Sequence, residues 1–113
     1  MISIFPDPIR ELPHACIPLE GVTAHLLQAE NHQIIFMHFS EDIELPEHRH
    51  EAQWGIVLEG RIDLIIGDKQ ETYTKGQRYY IPGGVPHSGR IHKGYADITF
   101  FNEPHRYRCA KEI

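Results

Sequence analysis

The stretch "HRHEAQWGIVLEG", residues 48–60, sets two imidazoles one residue apart, ahead of an apolar run that closes on a glycine. Side chains at i and i+2 of an extended strand leave the same face. His48 and His50 therefore read as two ligands from one strand face. Neutral imidazole is the commonest metal ligand in proteins. A second segment, "GQRYYIPGGVPHSGRI", residues 76–91, brings a short strand to Pro82, turns through Gly83 and Gly84, and presents His87. The turn reverses the chain, so His87 can face back into the cavity that the pair faces. Three imidazoles with one oxygen ligand would suit one divalent transition metal: Fe, Mn, Ni, Zn or Cu. The competing reading is a set of polar residues on a wet sheet face.

Such a clamp needs strands that converge, and the sequence supplies them. From Gly21 onward the hydrophobic period is two. "VTAHLLQ", "HQIIFMHF", "QWGIVLEG", "RIDLIIG", "ETYT", "QRYYIP", "HSGRIH" and "YADITFF" all read as strands, with "HRYRC" a further candidate. "AENHQ" and "GDKQ" read as turns. No segment of about ten residues or more has a helical pattern. Many short strands at close spacing indicate an all-β chain folded as a small antiparallel β-barrel or double-stranded jelly roll. Residues 1–20 hold four of the eight prolines, which implies an extended, irregular segment lying on the domain or on a partner subunit. Residues 21–113 form the single barrel domain.

Composition narrows the function. A chain of 113 residues fits one domain with a modest core. Sixteen acidic against eleven basic residues give a net charge of −5 with no basic run, which argues against nucleic acid as a partner. No apolar stretch approaches the ~18 residues of a membrane span. The N-terminus has no basic segment followed by a long apolar one, so no secretory signal is expected. Cys16 and Cys109, far apart and without metal spacing, read as free thiols of a cytoplasmic protein.

The two histidine segments resemble the paired motifs of the cupins, which are small jelly-roll barrels. The first family motif is G-x5-H-x-H-x(3,4)-E-x6-G, and the chain matches it at His48, His50 and Gly60. The second is G-x5-P-x-G-x2-H-x3-N, matched at Gly76, Pro82, Gly84 and His87. Asp42 stands at the opening glycine and Ile91 at the closing asparagine. Counting back from Gly60, the glutamate slot holds Gln53, one or two residues closer to His50 than the motif allows. Only 15 residues separate the motifs, as in compact microbial single-domain cupins.

The resemblance implies a metal held by His48, His50, Gln53 and His87. Gln53 would ligate through its amide oxygen, with an alternative role as a hydrogen-bonding neighbour. Four neutral ligands leave the ion its full charge. A glutamate would cancel one unit, a difference of several kcal/mol at an effective dielectric of ~20. The neutral set should favour an anionic ligand such as a carboxylate or enolate. The implied activity is a metal-dependent enzyme, of dioxygenase, isomerase or cyclase type, on a small anionic or enolisable organic compound. The alternatives are a non-catalytic small-molecule binding or sensing module, and a metal-free structural barrel. Gly55, Val57, Ile81 and Ile91, with Phe36 or Phe100, are candidate pocket walls, and one of Tyr79 and Tyr80 should face inward. His38 is a candidate pocket residue, Glu51 and His92 should point outward, and His14, His25, His32 and His105 read as surface residues. Trp54 on the outside with Ile56 and Leu58 would form an association patch, favouring a homodimer.

Overall fold

A computed structural model describes residues 4–108. Among these residues nine strands follow one short helix: α1 (Asp7–Arg10), β1 (Val22–Gln28), β2 (Gln33–Phe39), β3 (Ile43–His48), β4 (Gln53–Glu59), β5 (Arg61–Ile66), β6 (Lys69–Thr74), β7 (Arg78–Ile81), β8 (His87–Ile91) and β9 (Ala96–Phe101). They form two antiparallel sheets, one ordered β1-β2-β9-β4-β7 and the other β3-β8-β5-β6. The expected all-β jelly roll is what the chain adopts. Within the proline-rich segment, Pro6 and Pro8 open the single turn of α1, where a missing N–H costs nothing. Residues 105–108, a candidate strand, are irregular, and Cys109 lies outside the described residues.

Alternation decides what each sheet buries. In β2, Gln33, Ile35, Met37 and Phe39 face inward and Ile34, Phe36 and His38 face outward. In β9, Asp97, Thr99 and Phe101 share the inward face, registered against Met37, Ile35 and Gln33. Leu26, Val57, Leu64, Ile81 and Tyr95 complete a core between the sheets. Phe36 and Phe100 are therefore not pocket walls. Phe36 meets Phe5 edge-on at 5.8 Å between centroids, and Phe100 packs under His32 at 4.8 Å. His38 is likewise on the outer face, beside Ala96. His25 is buried rather than on the surface, because the N-terminal segment bridges β1 there and His14 stacks on its ring. The segment thus packs on its own domain, with Phe5 almost fully buried.

Candidate metal centre

His48 and His50 do not share one strand face. His48 ends β3, while His50 lies in the connection to β4. A register shift between Leu45 and His48 turns the end of β3, and His48 is registered directly against His87, the first residue of β8. His50 is positioned by the turn from the second motif. The Gly84 N–H donates to the His50 carbonyl at 2.9 Å, with Gly84 at φ +76°, a conformation that favours glycine. The Asn102 N–H donates to the Ala52 carbonyl at 2.9 Å, tying the same connection to the end of β9. Pro82 and the glycines therefore aim His87 and also hold His50.

The three imidazoles converge, with one ligand nitrogen from each lying within 4.8 Å of the others. Their second nitrogens settle which atoms do so. His48 Nδ1 lies 2.9 Å from the Pro46 carbonyl, His50 Nδ1 2.7 Å from the Glu51 carbonyl, and His87 Nδ1 3.0 Å from the Val85 carbonyl. A carbonyl only accepts, so each neutral ring carries its proton on Nδ1 and presents a bare lone pair at Nε2. The Nε2 atoms of His50 and His87 face each other at 3.0 Å. Two lone pairs without a proton between them repel unless a cation is shared. This donor set fits a divalent metal. Burial acts in the same direction by disfavouring the charged imidazolium: it lowers His50 to about 4 and lowers His87, aided by the Arg106 guanidinium.

The cluster opens into a cavity of about 250 Å³ between the sheets. Ile81, Ile91, Leu64 and Phe101 are among its apolar walls, and Ile17 to Leu19 of the N-terminal segment close one side. Val57 is core, and Gly55 lies beneath the Tyr79 ring. A Cβ at Gly55 would be 2.3 Å from Tyr79 Cζ, so the glycine is the space the tyrosine occupies. Tyr79 is the inward tyrosine at 3% exposure, against 57% for Tyr80. Trp54 is on the outer face as expected, Glu51 is exposed, and His92 is turned outward, 2.7 Å from Asp63. Gln53 faces inward and lines the same cavity as the histidines.

Sequence reasoning missed the two charged residues of the cavity lining, Asp97 and Arg106. Asp97 is fully buried. Its Oδ2 accepts from Tyr95 Oη at 2.6 Å and Tyr79 Oη at 2.9 Å, while Oδ1 has no partner. Desolvation raises its pKa to about 6, although the tyrosine hydrogen bonds favour the anion. The strand alternation of "YADITFF" carried that signal, because Asp97 shares parity with Phe101. Arg106 stands over the rings of Phe101 and Tyr107, at 5.9 and 4.6 Å, and its Nε is buried without a partner. It lies in irregular chain after β9, where no periodicity points to it.

Solved structures share this architecture. A cupin of the RmlC-like type from Shewanella frigidimarina NCIMB 400 superposes with a TM-score of 0.71 at 21% identity, covering 85% of this chain and 87% of that one. KdgF from Halomonas sp. does so with a TM-score of 0.72 at 16% identity, over 94% and 96% of the two chains. Oxalate decarboxylase from Bacillus subtilis, a protein with Mn(II) centres, matches at 0.71 and 21%, over 86% of this chain and 29% of its own. No curated protein matches the sequence. The cupin-domain family profile spans residues 35–101, which include every residue of the histidine cluster, so the chain belongs to the cupins.

Proposed function

We propose that this cupin is a metal-dependent enzyme, of dioxygenase, isomerase or cyclase type, acting on a small anionic or enolisable compound. The observation that carries the reading is the set of three bare Nε2 lone pairs converging at a largely apolar cavity. His48, His50 and His87 would hold the ion, with Gln53 as the oxygen ligand. When bound there, a divalent Fe, Mn, Ni, Zn or Cu ion supplies Lewis acidity, and Fe, Mn or Cu adds redox chemistry. The chain's own residues bind and orient the substrate. Arg106, with its Nε unpartnered inside the cavity lining, would take a carboxylate or enolate oxygen. The apolar walls exclude water, which strengthens that ion pair. Oxalate decarboxylase, a protein with Mn(II) centres that shares this fold over 29% of its length, supports the metal reading.

The protomer would act as a homodimer. Leu27, Ile34, Phe100, Trp54 and Tyr80 follow one another in register across the outer face of the five-stranded sheet. Leu27, Trp54 and Tyr80 are 44%, 39% and 57% exposed, an apolar row suited to a second copy. Cys16 is an exposed free thiol, which suits a cytoplasmic setting, and among the described residues no helix is long and apolar enough to cross a membrane. Binding of small carboxylates to the metal-loaded protein tests the reading. Wild type should bind a dicarboxylate such as malonate, and Arg106→Leu should weaken that binding about tenfold or more while keeping the metal. Equal binding by both proteins would remove Arg106 from the site. Turnover of an enol, diketone or phenolic substrate would separate an enzyme from a binding module.

A further inference from the structure

The geometry points to one fixed proton order along Gln53, Tyr79 and Asp97, which makes Asp97 and Tyr79 the positioning residues for the oxygen end of Gln53. The inference rests on the metal reading above. A carboxylate only accepts. Asp97 Oδ2 takes the Tyr95 hydroxyl at 2.6 Å and the Tyr79 hydroxyl at 2.9 Å. The single proton of Tyr79 is thus spent on Asp97, and Tyr79 Oη can only accept from any further neighbour. Gln53 Nε2 stands 3.3 Å away and donates to it. Thr99 Oγ1, at 3.4 Å, can join only as another donor.

A glutamine amide has two ends of almost equal size, and only the oxygen ligates a metal. With the amino end pinned on Tyr79, Oε1 is the end left free in the cavity that Gln53 shares with His48, His50 and His87. Asp97 is registered against Val57, four residues along β4 from Gln53, and acts through the tyrosine. A glutamate at the same place would need no such device, because both of its ends are oxygen. The buried Asp97 therefore answers the departure from the family motif at residue 53. Gly55 belongs to the same arrangement, since only a missing side chain lets the Tyr79 ring reach across.

The test is a double-mutant cycle in metal affinity, with Zn(II) and Co(II) as probes and a chromophoric chelator as competitor. Asp97→Val fills the site but removes the acceptor, so nothing holds the Tyr79 proton away from Gln53. The Tyr79 proton then turns toward Gln53, and the amide rotates its amino end into the cavity. Affinity should fall about tenfold, within the 10–100-fold range for lost orienting partners, with a change in the Co(II) visible spectrum. In the Gln53→Glu background the same substitution should cost nothing. Tyr79→Phe should show the same pattern with a smaller loss, and it serves if Asp97→Val does not fold. Equal losses in both backgrounds, or no loss in the glutamine background, would overturn the proton order while leaving the metal site standing. Wild type that binds neither ion, or binds them no better than His48→Ala with His50→Ala, would overturn the metal reading and this inference together.

Discussion

Gly55→Ala is a one-methyl test of how the cavity is built. Gly55 has an ordinary strand backbone, so alanine there would normally stabilise slightly, by about 0.4–1 kcal/mol. Here its Cβ would lie 2.3 Å from Tyr79 Cζ, 2.4 Å from Cε2 and 2.5 Å from Oη. Ordinary carbon contacts begin near ~3.5 Å, so the ring must move by more than about 1 Å. It is 3% exposed and has nowhere soft to go. Overpacking of this kind costs about 1–3 kcal/mol. Displacing Oη also strips Asp97 of one of its two donors, which adds about 1–3 kcal/mol for a buried group left short of partners. The sum, about 2–6 kcal/mol, corresponds to a fall in Tm of about 10–25 °C for a domain near 100 residues. Urea denaturation of the metal-free protein gives the stability, and Zn(II) titration should show weaker binding alongside it. Pairing Gly55→Ala with Tyr79→Leu should cost less than the two singles added together. A Gly55→Ala protein within about 0.5 kcal/mol of wild type, with unchanged metal affinity, would refute the packing argument.

Other expectations follow from the same geometry. Gln53→Glu should raise metal affinity, because it cancels one unit of the ion's charge, and should weaken carboxylate binding to the loaded site; calorimetry with Zn(II) and then malonate measures both, and no change in either would remove Gln53 from the ligand set. The metal-free protein should lose stability as pH falls from about 6.5 toward 4. His50 folds with its pKa lowered from 6.5 to about 4, so the unfolded chain binds the extra proton in that window, and His87 is lowered in the same sense. Asp97 works the other way. Raised from 3.8 to about 6, it favours the folded state at low pH and loses that contribution as pH rises through 6. Asp97→Asn should therefore steepen the acid loss in urea titrations, and an unchanged slope would contradict the assignment. Trp54→Lys places a charge within the exposed apolar row and should shift sedimentation from dimer to monomer; identical sedimentation would move the interface elsewhere.

Much of this could be read in the residues alone, for physical reasons. Strict alternation in "QIIFMHF" and "QWGIVLE" sets one buried face, so the strands and the two-sheet fold were legible. The spacing of Pro82, Gly84 and His87 was legible because a turn at fixed length can aim a side chain. Alternation also decided between the neighbouring tyrosines once one register was known: Gly55 pairs with Tyr79 and Trp54 with Tyr80. What stayed hidden depends on long-range packing. His48 and His50 looked like one strand face, yet the strand stops at His48 and the chain reaches His50 in a loop held by Gly84. Phe36 and Phe100 looked like pocket walls, yet their parity puts them outside. Arg106 had no periodic signal, since irregular chain carries none. Asp97 had the right parity, but only its partners, Tyr79 from β7 and Tyr95 two residues before it, give it a role.

The most direct test is elemental analysis of protein purified without chelator, beside the His48→Ala, His50→Ala double variant. Near-stoichiometric divalent transition metal is expected in wild type and its loss in the variant, with the variant still folded by circular dichroism. Wild type without metal that also fails to take up added Zn(II), Mn(II) or Fe(II), or a variant that keeps its metal, would contradict the three-histidine site.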